Sequence, residues 1–136
     1  MTPSFTLAHW MMLVAALLPI VCAGIAKSGL MSTPRSQGGY DNHDPRAWLA
    51  KQGDWRARAN HAQSNSFEAL PFFFAAVLSA QYLQAHALAL DLLALAFVLL
   101  RLAYIYCYVA DKPGLRSLAW ILAFAVNVAI LFIGFR

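Results

Sequence analysis

The sequence predicts an all-α integral membrane protein, a bundle of four helices, on three observations. Of its 136 residues, 61% are hydrophobic and 12% are charged, about half the roughly 25% charge of soluble domains. Four apolar runs are each long enough to span a bilayer, and the basic residues gather in alternate connections between them. Four spans leave room in so short a chain for one substantial loop and two tight turns, so residues 1–136 form a single domain.

The first run, about residues 5–27, has His9 as its only strong polar residue. A secretory signal carries its basic segment ahead of the apolar stretch, whereas the first Lys or Arg here is Lys27, so the run reads as a retained helix. Residues 28–58 hold Gly29, Pro34, Gly38, Gly39, Pro45 and Gly53 together with five of the ten basic residues. That is the turn chemistry and solvated charge of a polar loop. Within it Trp48 and Trp55 are expected at headgroup level, with a short amphipathic helix near residues 45–52.

The second helix is expected over about residues 57–84, polar in its first third and apolar after Glu68. Pro71 lacks an N–H and should kink it where it enters hydrocarbon. Only Gln84 and Ala85 separate it from the third helix, residues 86–109, so the two form an antiparallel hairpin. Asp111, Lys112, Pro113 and Gly114 make the last turn, and the fourth helix covers about residues 115–135. Cys22 and Cys107 lie in apolar runs with no neighbour at metal-ligand or redox spacing, and read as small buried hydrophobes.

Lys27, Arg35, Arg46, Lys51, Arg56 and Arg58 flank or occupy the first connection, Lys112 and Arg116 the third, and no basic residue the second. The positive-inside rule therefore places the first and third connections in the cytoplasm and both termini on the opposite side. The net charge of +4 is a topology signal. A nucleic-acid partner would require basic residues clustered on a solvated domain, which this chain lacks.

Glu68 is the most informative residue, because a carboxylate in a membrane helix is costly and marks a functional or tightly paired site. Asn65, His61 and Arg58 precede it by three, seven and ten residues, which puts all four on one helical stripe. The stripe is either a hydrogen-bond network that joins helices or a binding site. A second stripe on the third helix, Arg101, Tyr104, Tyr108 and Asp111, runs at steps of three, four and three. Tyr108 reads equally as an interfacial belt residue, while Arg101 and Tyr104 lie deeper. With Arg116 at the start of the fourth helix, the stripes can converge on a cavity holding several cations.

These residues resemble the signature of the membrane-associated proteins in eicosanoid and glutathione metabolism, the MAPEG family. An arginine-containing helix start at Arg58 is followed by Asn65-x-x-Glu68-x-x-Pro71, and Arg101-x-x-Tyr104-x-x-x-Tyr108 is followed by Arg116 after the third connection. The resemblance, to bacterial-type members, covers the whole chain. It implies homotrimers that bind glutathione between neighbouring subunits, with Asn65 and Glu68 on the peptide's polar backbone, Gln63 and Tyr108 assisting, and Arg116 stabilising the thiolate. The sequence departs from the family in two places: His61 stands where many members have arginine, and Ala69 replaces an aromatic of the leukotriene C synthase branch. Lys27 is the candidate for a first-helix arginine.

The residue chemistry agrees with that implication. A tripeptide thiol with two carboxylates and one amine needs cations and a carboxylate, which Arg58, Arg101, Arg116 and Glu68 supply, and His61 adds a cation when protonated. A neighbouring guanidinium favours the nucleophilic thiolate. The expected function is therefore a glutathione-dependent transferase or peroxidase, taking a lipophilic small molecule laterally from membrane lipid. Two alternatives compete: a non-catalytic lipid-binding or scaffold member of the same family, and a small proton-coupled multidrug transporter using Glu68. The roughly thirty-residue first loop argues against the transporter, whose loops are short.

Overall fold

Pro71 cannot donate a backbone hydrogen bond, and its ring crowds the carbonyl four residues earlier. The helix expected over residues 57–84 is accordingly broken at Ala69. In a computed structural model of the protein, which describes residues 4–135, the elements are α1 (Leu7–Lys27), a single 3-10 turn (Arg35–Gln37), α2 (Pro45–Ala50), α3 (Asp54–Glu68), α4 (Leu70–Tyr82), α5 (Ala87–Val109) and α6 (Pro113–Phe132). Among the described residues there is no strand. Helices α1, α5 and α6 are long and apolar enough to cross a membrane. Helices α3 and α4 follow one another with only Ala69 between them, the first largely polar and the second apolar.

The helices alternate in direction, which gives the bundle two ends. At the terminal end, Asp91 Oδ1 accepts from the Ala8 N–H at 2.8 Å and satisfies a free donor in the first turn of α1. Beside it the Gln81 amide lies 3.3 Å from the His9 ring. At the loop end, Arg56 Nη1 donates to the carbonyls of Ala26 at 2.9 Å and Ser28 at 2.6 Å, and Arg58 Nε donates to the carbonyl of Val109 at 3.1 Å. Two arginines thus cap the negative C-terminal ends of α1 and α5.

The turns after α4 and α5 use the same device. Gln84 and Asp111 adopt left-handed φ of 56° and 58°. The Ala85 N–H donates to the Ala80 carbonyl at 2.9 Å beside the Gln84 N–H to the Gln81 carbonyl at 3.0 Å, and the Lys112 N–H donates to the Cys107 carbonyl at 2.8 Å beside the Asp111 N–H to the Tyr108 carbonyl at 3.2 Å, in each turn the paired bonds of a Schellman ending. Pro113 then starts α6 two residues earlier than expected, its fixed φ suiting the first helical position.

The interior is built on close helix approach. Phe73 and Phe97 stack with centroids 4.1 Å apart. Around them Ala8, Ala15, Ala76, Ala80, Ala94 and Ala123 are buried, small side chains of the kind that let membrane helices pack tightly. Cys22 and Cys107 are buried as expected.

The loop is more ordered than solvated charge suggests. Trp48, expected at headgroup level, is 7% exposed and packs with Ala26, Leu49 and Ala59. Its Nε1 donates to the Gly38 carbonyl at 3.3 Å, and its ring meets Tyr40 edge-on at 5.2 Å. Trp55 remains exposed, with Arg56 4.2 Å above its ring. The expected short helix forms as α2, capped by Asp44, which accepts from the Ala47 N–H at 3.2 Å. Gly39 is required: a β-carbon there would collide with the Thr33 carbonyl. The His43 N–H, assisted by Arg35, holds the Asp41 carboxyl below the usual carboxylate range.

Candidate functional site

Asn65 and Glu68 lie one turn apart on α3, and the Asn65 Nδ2 donates to Glu68 Oε2 at 3.3 Å. From the facing helix α5, Arg101 Nη2 donates to Asn65 Oδ1 at 2.8 Å. One amide therefore bridges a cation and a carboxylate. Glu68 itself is exposed, and among the described residues no cation lies within ion-pair distance of it; Arg35 and Asp41 form the only such pair, in the loop.

Arg101 is 2% exposed. By insertion scales an arginine at the centre of a span costs about 2.5–3.5 kcal/mol, an upper bound for Arg101, which lies in the C-terminal half of α5. A hydrogen bond to a charged group returns about 1.5–3 kcal/mol. The Tyr104 ring, 4.1 Å from the guanidinium carbon, returns about 2 kcal/mol when desolvated. The two contacts together are enough to hold the cation in place.

The contacts continue toward the loop end. Tyr104 meets Tyr108 edge-on at 5.7 Å, and Arg116, in the first turn of α6, places its guanidinium 4.6 Å over the Tyr108 ring. The His61 ring lies 6.2 Å from Tyr108. Seven of the residues singled out from sequence thus form one connected series: Glu68, Asn65, Arg101, Tyr104, Tyr108, Arg116 and His61. Two stand apart. Arg58 has its Nε committed to the end of α5. Gln63 lies in a separate pocket with Arg46 and Asn60, because a residue two positions from Asn65 points away from it on a helix.

Asn65, Glu68 and Arg101 line a cleft of about 180 Å³ whose apolar walls include Phe72, Phe97, Trp120 and Phe124. A second cleft of about 290 Å³ is lined by Tyr104, Arg116, Ser117, Trp120 and Ile121. Trp120 belongs to both, so the two adjoin along α6. The first is smaller than the roughly 300–1,000 Å³ of small-molecule sites, and a tripeptide would extend beyond it.

Asn127 also lines the first cleft and was not anticipated from sequence. It is 4% exposed, and its Oδ1 accepts a hydrogen bond from no described residue. Leaving such an acceptor buried and unpaired costs about 1–3 kcal/mol. Its signal was present as an amide inside an apolar helix, at helical steps from Arg116 through Trp120 and Phe124.

The sequence model of the MAPEG family matches residues 7–136. The chain belongs to the MAPEG family. No curated protein and no solved structure matches it. The MAPEG match spans every residue of both clefts and of the connected series.

Proposed function

We propose that this MAPEG chain is a glutathione-dependent membrane enzyme, a transferase or peroxidase acting on lipophilic electrophiles or lipid hydroperoxides. The observation that carries the reading is Glu68, an exposed carboxylate without a cation partner among the described residues, at one end of a contact series that finishes at Arg116. The carboxylate suits glutathione's ammonium, and the guanidinium suits its thiolate. The family includes glutathione transferases and peroxidases as well as non-catalytic members.

In this reading α3 and α4 together make a fourth crossing, the 28–53 loop faces the cytoplasm and the termini face the opposite side. The active unit is a homotrimer. Gln63 and Asn65 project from opposite sides of α3, so one copy cannot place both around one ligand, whereas Gln63 of a neighbouring copy can complete the site. A guanidinium within about 4–6 Å of the thiol lowers its pKa by roughly 1–3 units, and the N-terminus of α6 acts in the same sense. In conjugation the thiolate sulfur bonds to the electrophilic carbon while the leaving group departs with its electron pair.

The test is glutathione binding to the detergent-purified protein, together with turnover on aryl halides and lipid hydroperoxides. Saturable binding with turnover on either class is expected. Absence of glutathione binding would overturn the reading. The apolar walls of Phe72, Phe97, Trp120 and Phe124 favour a second reading, a non-catalytic lipid-binding member, which predicts lipid binding without glutathione.

A further inference from the structure

We infer that the first cleft selects lipophilic molecules bearing an O–H group, and that Asn127 is the residue that reads it. The inference rests on the proposed function of the same site and names the chemistry of the substrate it prefers. Asn127 is 4% exposed, lines the cleft, and its Oδ1 accepts from no described residue. Its burial lies within a single copy, so it is not an amide held in reserve for contact between copies, which would be exposed here.

The neighbouring wall narrows the ligand chemistry. Phe97, Ala123 and Phe124 offer no polar partner, and Arg101, the cation lining the cleft, is engaged by Asn65 and Tyr104. A carboxylate would be drawn to the Arg101 guanidinium, and at Asn127 it could only accept, leaving the Oδ1 unpaired. A ketone or ether accepts only and leaves the Oδ1 unpaired. A hydroxyl donates to the Oδ1 and accepts from the Nδ2 at once, within a wall otherwise suited to hydrocarbon.

The position also sets a length. Asn127 is eleven residues from Arg116 along α6, roughly 16 Å at 1.5 Å per residue, and Trp120 lines both clefts between them. A molecule whose reacting atom sits by Arg116 thus brings its O–H to Asn127 across an apolar stretch of about that length.

The experiment uses the full chain in detergent and two probes, a long-chain bromoalkyl alcohol and its methyl ether, with bromine quenching of tryptophan fluorescence as the readout. The alcohol is expected to bind about five- to tenfold tighter, the worth of one net hydrogen bond. Asn127→Leu should abolish the preference, and Asn127→Ser should retain part of it. Equal affinity of the parent protein for alcohol and ether, as would follow if Asn127 only holds a buried water, overturns the inference without any variant. So does a preference that survives Asn127→Leu. Glutathione binding is measured on the same parent sample: its absence beside an intact alcohol preference removes the proposed function and leaves this inference standing.

Discussion

Asn65 and Glu68 share one hydrogen bond but depend on their surroundings in opposite ways. Asn65 holds the buried Arg101, so Asn65→Leu leaves a desolvated charge without its partner and should destabilise the fold by about 3 kcal/mol. A thermal unfolding midpoint near that of the parent would refute this. Glu68 is exposed and, among the described residues, bonds only that amide. Glu68→Gln should therefore leave the midpoint almost unchanged while weakening glutathione binding, by about 2–5 kcal/mol once the bound ligand takes the pair out of water; a lowered midpoint with unchanged affinity would assign Glu68 to the scaffold. Arg116→Ala should preserve assembly and most ground-state binding, but remove the thiolate ultraviolet absorbance and slow conjugation on the order of a hundredfold. Arg116→Lys should recover part, and full activity in the alanine variant would move the role to another arginine. The two stripes were legible because helical spacing aligns polar residues without knowledge of the partner helix. Asn127 was not, because a lone amide signals only after the cleft beside it is known. The commitment of Arg58 to Val109 likewise depended on where two helix ends meet.

At the scale of elements, the break that Pro71 causes at Ala69 and the turn at Gln84 and Ala85 were legible from local backbone chemistry. Helix starts were less so: α3 begins at Asp54 and α6 at Pro113, each ahead of the first clearly apolar residue. Asp111 has a left-handed φ of 58°, which costs a residue with a β-carbon roughly 1–2 kcal/mol. Glycine avoids that cost but loses more freedom on folding. Asp111→Gly should thus raise stability by about 0.5–1 kcal/mol, read as a higher unfolding midpoint; a lower midpoint would mean that the Asp111 side chain is itself holding the turn. The loop carries a pH dependence. Asp41 is held below the usual carboxylate range in the folded loop, chiefly by the His43 N–H. Its contribution is therefore complete above the unfolded carboxylate pKa and is lost as pH falls through the lower folded value. Proteolysis of the 28–53 segment should accelerate below about pH 4, and an Asp41→Asn variant should lose that acid sensitivity.

For the whole molecule, the proposed homotrimer requires a native mass in mild detergent of three copies, and the separate faces of α3 that carry Gln63 and the connected series are what contact between copies would bring together. A monomer would count against a site shared between copies. Composition and charge placement made the membrane class legible, but the burial of Trp48 was not, because a tryptophan near a span reads the same whether it meets headgroups or a folded loop. The alanines between the helices determine where this chain tolerates change. Ala76, Ala80 and Ala94 have no exposed surface, so adding side-chain mass there forces helices apart, at about 1–3 kcal/mol for overpacking. Leu99 and Leu118 are more than half exposed, and trimming either to alanine removes little that the fold uses. A saturation scan should therefore be harsh toward enlargement inside and lenient toward reduction outside, leaving the lipid-facing surface free to drift while the spacing between helices stays fixed.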